Sequence, residues 1–123
     1  MSSPRVYQFE IPWTRPPISL NDRLHYRTEA TRVKMMRQYA CTIAHDIPFM
    51  DRIQVELTWV VADRRRRDDE NPVPVLKALC DGLVDADIVP DDTHEFMVKR
   101  MPVIEYRKGA TAHFVLTITE LKD

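Results

Sequence analysis

Glycine is scarce in this sequence: two in 123 residues, Gly82 and Gly109. A glycine-rich phosphate loop or a dinucleotide fingerprint needs several glycines at fixed spacing, so both are excluded. Any phosphate contact must come from side chains or from a metal ion. Cysteine is as sparse, with Cys41 and Cys80 alone. Both lie in apolar-periodic stretches and read as buried free thiols of a cytoplasmic protein, not as a disulfide framework. No run approaches the ~20 apolar residues of a membrane span, and the opening Met-Ser-Ser-Pro-Arg leads into no apolar signal segment. No membrane partner is therefore expected. Net charge is almost absent, since 18 Lys and Arg face 19 Asp and Glu for a total of −1. With 44% of residues hydrophobic, the chain has the composition of a folded protein, not a disordered one. Its length fits a single domain over residues 1–123.

A net charge of −1 argues against a bulk-basic nucleic-acid binder only if the charge is evenly spread. It is not. Residues 1–67 carry 12 basic and 7 acidic side chains, a net of +5. Residues 68–95 carry 9 acidic side chains and one basic, Lys77, a net of −8. Residues 96–123 return to +2. An acidic centre between basic flanks reads either as a cation-binding carboxylate site inside a phosphate-attracting rim, or as clustering on a solvated surface.

The hydrophobic pattern gives the architecture. Residues 5–11 alternate, with Tyr7, Phe9 and Ile11 on one side, and read as a strand. Residues 12–27, with three prolines, read as a loop. Thr28 is a candidate N-cap for a helix through Val33, Met35, Met36, Ala40 and Ile43, ending near Asp46. Ile53, Val55, Leu57, Trp59 and Val61 alternate along a strand over 52–61. Asn71 followed by Pro72 is a cap-and-proline helix start. Leu76, Leu79, Cys80, Leu83 and Val84 then form one apolar stripe. Strands follow near 94–103 and 111–120, joined by a turn at Lys108-Gly109. The order is β-α-β-α-β-β, an α+β domain with a small mixed sheet packed by two helices.

The chemistry concentrates between the second strand and the third. In extended backbone, Asp68 and Glu70 point the same way and Asp69 the other. A helix leads out from them, and a tight connection leads back past Asp91 and Asp92, so these carboxylates can converge at one edge. Crowded carboxylates raise one another's pKa unless a divalent cation lies between them, and Mg²⁺ takes hard oxygen ligands while keeping waters for substrate phosphates to replace. The alternative is structural. Asp68 and Glu70 then stabilise the helix start, and Asp91 and Asp92 make a polar turn after Pro90. Lys77 either forms an i,i+4 pair with Asp81 or reaches a phosphate. The run Arg64, Arg65, Arg66 and Arg67 is either a solvated cluster or a phosphate-contacting patch, with two side chains per face, widened by Lys99, Arg100, Arg107 and Lys108. No Cys/His set has zinc spacing, and His94 is the one histidine beside the acidic turn.

The segment from Asp63, DRRRRDDENPVPVLKALCDGLVDADIVPDDT, resembles the RusA-type Holliday junction resolvases, a family of crossover junction endodeoxyribonucleases. That family has an Arg-Asp-x-Asp-Asn string, a lysine on the next helix, and an Asp-Asp turn. The matching residues here are Arg67-Asp68-Asp69-Glu70-Asn71, Lys77 and Asp91-Asp92. The element order is similar too, as is the close through Lys99-Arg100-Met101-Pro102 to Thr117-Ile118-Thr119-Glu120. Pro16, Pro17, Ser19 and Asn21 resemble the family's N-terminal loop more weakly.

The resemblance implies a homodimer that resolves four-way DNA junctions by paired nicks, using Mg²⁺ with Mn²⁺ as the alternative ion. It implies Asp68, Glu70 and Asp92 as metal ligands, with Asp91 and Asp69 as alternates, and Lys77 near the scissile phosphate. Together, Asp68, Glu70, Lys77 and Asp92 are the expected catalytic set. Arg64 to Arg67, Asn71, Lys99 and Arg100 are the expected DNA contacts. Such families are often carried by phages and prophages, so a bacterial cytoplasm and a phage or prophage source are the expected setting. A nuclease for flaps, or a non-catalytic DNA-binding module of the same fold, are the rival expectations. Three departures stand out. Glu70 replaces an aspartate, the stretch from Asn71 to Lys77 is long and holds Pro72 and Pro74, and Asp87 stands where a small residue is usual after the second helix. Aspartate tolerates the left-handed conformation at modest cost.

Overall fold

Seven elements follow the order β1 (Val6–Ile11), α1 (Tyr26–Ile43), β2 (Ile53–Val61), α2 (Val73–Asp85), β3 (Met97–Lys99), β4 (Val103–Tyr106) and β5 (His113–Glu120). They are seen in a computed structural model that describes residues 3–19 and 23–122. Asn21, part of the N-terminal resemblance, lies outside the described residues. The sheet runs β1-β5-β2-β3, with β4 also paired to β2. β5 is antiparallel to both β1 and β2, while β3 and β4 are parallel to β2. This is an α+β domain with a mixed five-stranded sheet.

The alternating strands sort their side chains as period-2 geometry requires. Ile53, Val55, Leu57, Trp59 and Val61 of β2 join Phe114, Leu116 and Ile118 of β5 in one buried cluster. Met36 and Ala40 of α1, with Val75, Leu76, Leu79, Cys80 and Leu83 of α2, complete it. The expected alternation of β1, β2 and β5 is therefore the core face. The apolar stripe of α2 is buried as expected, while Val84 is only partly so.

Local boundaries differ from the sequence expectations in four places. First, α1 starts at Tyr26, not after Thr28: His25 is its cap, and the Nδ1 of His25 accepts from the Arg27 amide at 3.2 Å. A ring nitrogen does there what a hydroxyl was expected to do. Second, α2 is capped by Pro72 with no side-chain cap bond. Asn71 is drawn into a preceding turn, where its amide donates to the Asp68 carbonyl at 3.0 Å. Third, α1 ends at Ile43 and passes into a turn over 44–46. Fourth, the strand expected over 94–103 is confined to Met97–Lys99 after a turn over 94–96, and a further strand, Val103–Tyr106, begins only where the expected one was to end. Proline has no amide to donate to a ladder, and Pro102 interrupts this one. Val55 pairs with Lys99 and Thr58 with Val103, so four steps on this side match three on β2. The extra residue takes Met101 and Pro102 out of the pairing, as in a bulge, while the Arg100 amide still donates to the Val55 carbonyl at 3.0 Å.

Two close approaches fix the position of α2. At Gly82 a Cβ would fall on the Arg37 carbonyl oxygen and within 2.6 Å of the Ala40 Cβ, so only glycine lets α1 and α2 meet there. At its end, Asp87 takes φ 59°. The Asp87 amide donates to the Val84 carbonyl at 2.9 Å and the Ile88 amide to the Leu83 carbonyl at 3.5 Å. That is a Schellman-type stop. It turns the chain under buried Ile88 and sends it toward Asp91 and Asp92. Cys80 is buried and Cys41 half-buried, both free; only Cys80 matches the expected burial. Burial pushes the Cys80 thiol up to about 12, despite opposing help to the thiolate from Lys99, so it is an inert core group.

Candidate active site

The Asp68–Asn71 segment is not extended. The Asp68 Oδ1 accepts from the Glu70 amide at 3.0 Å, and the Asp68 carbonyl accepts from the Asn71 amide. Aspartate closes such turns on its own backbone. The expectation that Asp68 and Glu70 project side by side from extended chain is therefore corrected, and the Asp68 carboxylate is engaged within its own turn. Asp68, Asp69 and Glu70 are all exposed. Among the described residues, no group of three or more His, Cys, Asp or Glu side chains lies close enough to hold one metal ion. The expected triad of Asp68, Glu70 and Asp92 is thus not gathered.

A different pair is. Asp81 on α2 and Asp92 on the returning connection lie close enough for each carboxyl to act on the other. Burial, then the hydrogen bond and charge of Asp92, raise the Asp81 carboxyl above its ordinary range. Burial also works to raise Asp92. Against it act Lys99, the hydrogen bond from Asp81 and the neighbouring Asp91, and Asp92 ends below its ordinary range. Asp81 is therefore the member of the pair that keeps its proton to the higher pH. Lys99 Nζ stands 3.4 Å from the Asp92 carboxylate. Asp91 Oδ1 accepts from the Asp92 amide at 2.7 Å and so fixes the turn. Lys77, one helical turn before Asp81, acts on Asp81 as a positive charge.

The sequence places Asp81 only as the i,i+4 neighbour of Lys77; its meeting with Asp92 depends on the turn at Asp87, which folds the chain back on α2. The one available signal is positional, a polar residue beside the apolar stripe of an otherwise buried helix.

Lys77 and Lys99 also share an open cleft of about 330 Å³ with Val73, Leu76, Arg100 and Met101. The bulge at Pro102 forms its far wall, so the break in the strand and the cleft have one cause. Arg100 donates to the Gln54 side chain at 3.0 Å. His94 is exposed and joins no metal-binding group.

The arginine run divides in an uneven way. Arg64 lies over the Tyr106 ring at 4.6 Å, and Arg67 over the Trp59 ring at 5.1 Å. Arg67 also pairs with Asp63 at 2.8 Å and donates to the carbonyls of Asp63 and Arg65. Asp63, in turn, is held below the usual carboxylate range, first by the Arg65 amide and then by Arg67. Arg65 and Arg66 are exposed, and among the described residues their guanidinium groups have no partner. Two arginines thus pin the segment and two extend into solvent.

As a metal donor set, the Asp81–Asp92 pair supplies hard oxygens. Mg²⁺ is commonly held by one or two carboxylates, with waters and substrate phosphates completing its shell. The residues fit that modest requirement, with Asp92 more readily ionised than an ordinary aspartate and Asp81 less readily.

No family model matches the chain. An "Uncharacterized protein" of Xylella fastidiosa (strain Temecula1 / ATCC 700964) is similar to it, at 28% identity over 122 residues covering 94% of this chain and 77% of that protein. No helix among the described residues is long and apolar enough to cross a membrane.

Proposed function

We propose that this protein is a Mg²⁺-dependent endonuclease that cuts branched DNA, with the four-way junction as its substrate and a homodimer as its working form. The observation that carries the reading is the Asp81–Asp92 carboxylate pair with Lys77 and Lys99 acting on it, the same two lysines that line the cleft. The resemblance of Arg67–Asn71, Lys77 and Asp91-Asp92 to the RusA-type resolvases supports it.

In this reading Asp92 and Asp81 hold the cation. When bound, Mg²⁺ supplies a lowered water pKa and charge stabilisation at the attacked phosphodiester. Lys99 keeps Asp92 ionised, and Asp91 fixes its backbone. Lys77, exposed on the first turns of α2, binds the phosphate near the cut. Arg65 and Arg66 add backbone affinity without reading sequence. Asp68 and Glu70, ligands by resemblance, are given no step here, because among the described residues no third carboxylate joins the pair. A two-fold dimer would present two such sites to symmetry-related strands.

The engaged state of Asp68 favours one rival, a non-catalytic DNA-binding module whose acids only shape a turn. Cleavage of a four-way junction, a flap and a linear duplex, each with Mg²⁺ and with EDTA, separates the readings. Mg²⁺-dependent paired nicks in the junction are expected. Cleavage confined to the flap would reassign the substrate, and tight binding with no cleavage of any DNA would establish the module.

A further inference from the structure

A second cavity, about 350 Å³, lies between the proline-rich loop after β1, the start of α1 and the turn before α2. Arg15, Arg32, Leu24, Trp59 and Asn71 are among its walls, and none of its described lining residues is Asp or Glu. We propose that it is a phosphate-binding pocket for the DNA backbone, separate from the arginine run and centred on Arg15 and Arg32. The proposal rests on the nuclease reading for its ligand, and adds to it where one strand is held.

Charge and geometry both point to an anion. Arg32 donates one N–H to the Pro17 carbonyl at 2.8 Å, which fixes the guanidinium but leaves its charge uncompensated. Among the described residues, no carboxylate lies within ion-pair distance of either arginine. Arginine forks suit phosphate oxygens in particular. Arg15 is held in place indirectly: the Trp59 indole N–H donates to the Thr14 carbonyl at 3.1 Å, pinning the residue just before it.

The same tryptophan argues against a nucleobase as the ligand. Its ring is stacked on Phe114, nearly parallel at 5.7 Å, and is covered by the Arg67 guanidinium. At 8% exposure it forms a wall and gives no platform for stacking a base. The pocket therefore takes a phosphodiester without regard to sequence. Because Asn71 lines it, a strand held there passes beside the Asp68–Asn71 turn.

The test is binding of a fluorescein-labelled four-way junction in EDTA, followed by anisotropy across a series of NaCl concentrations. Arg15→Ala should bind about three- to tenfold more weakly, and its plot of log affinity against log salt should flatten by about one unit for each phosphate that Arg15 neutralises in the wild type. Arg15 is exposed, so the melting temperature of the variant should not change, and Arg15→Lys should restore part of the affinity. Unchanged affinity and slope in Arg15→Ala would overturn the assignment to the DNA backbone. Titration of the wild type with inorganic phosphate, read at the Trp59 indole N–H by NMR, distinguishes the ligand's source. A shift there combined with unaltered junction binding by Arg15→Ala makes it a free-phosphate site and overturns the DNA assignment. Failure of the wild type to bind the junction at all would instead remove the nuclease reading itself.

Discussion

At the scale of single residues, the site turns on two carboxyls with opposite tendencies. Asp81 is pushed up by burial and by Asp92, while Asp92 is drawn down by Lys99 and Asp81 against its own burial. Such a pair titrates as a unit, and the sign of its effect on stability follows. The folded state holds the Asp81 proton more tightly than the unfolded chain does, for which an aspartate titrates near ~3.9. Below that value the pair costs nothing. As pH rises through the folded value, Asp81 ionises against Asp92 and stability falls. Asp81→Asn should therefore raise the melting temperature at pH 7 and leave it unchanged near pH 3, which thermal melts at the two pH values will check. A lower melting temperature at pH 7 would show that ionised Asp81 is a stabilising group. The sequence displayed every one of these side chains, yet it pointed to Asp68 and Glu70, because two acids two apart look convergent on extended chain. The Asp68 turn bends that chain, and no periodicity rule registers a carboxylate accepting its neighbour's amide.

Elements were far more legible than the side-chain meeting. The alternations of β1, β2 and β5 and the stripe of α2 are direct consequences of burying one face, and each stands where its pattern puts it. What escaped were interruptions with a local cause: His25 as a cap, Asn71 diverted into a turn, and Pro102 standing between β3 and β4. Asp87 was legible, since a polar residue after a helix suits the left-handed stop that it adopts. Gly82 gains meaning only from α1 lying across it. Gly82→Ala would raise helix propensity by about 1 kcal/mol, but the new methyl meets the Arg37 carbonyl and Ala40. Overpacking of that kind costs about 1–3 kcal/mol, so urea unfolding should show a net loss. A gain in stability would mean that the helices separate freely.

The sheet edge offers a second element-level test. Arg5 binds Glu120 through Nε at 3.1 Å and Nη2 at 2.6 Å, joining the chain just before β1 to the end of β5. The hydrogen bonds from Arg5 hold the Glu120 carboxyl below its usual range, against the opposing effect of burial. Its contribution is fully present above the unfolded value near ~4.3 and is lost as pH falls through the folded value. Glu120→Gln should thus be less stable than wild type at pH 7, with the difference closing in acid. A difference that persists at pH 2.5 would assign the effect to packing.

At the scale of the whole molecule, the sum of −1 conceals a separation of charge. The acidic block is not a single carboxylate cage. Its members divide between the Asp68–Asn71 turn, the Asp81–Asp92 pair and the exposed ends of α2 and the following loop. The basic flanks supply Lys99 beside that pair, exposed Arg65 and Arg66 on the segment after β2 and, in the proposed reading, the Arg15–Arg32 pocket; Lys77 comes from the acidic block itself. Nucleic-acid affinity governed by such local charge falls steeply with salt, whatever the net value. Two-fold action on a junction further requires two copies, so sedimentation at micromolar concentration should show a dimer, and a monomer throughout would remove the paired-nick scheme.

In the proposed reading, Asp92 belongs to a metal-dependent cutting site and not to a structural turn alone. Junction binding and junction cleavage measured side by side on Asp92→Asn test it most directly. Wild-type junction affinity is expected in EDTA, with cleavage reduced by at least about a hundredfold in Mg²⁺, the scale on which loss of a charge-stabilising group acts. Cleavage at the wild-type rate, with binding intact, would contradict it.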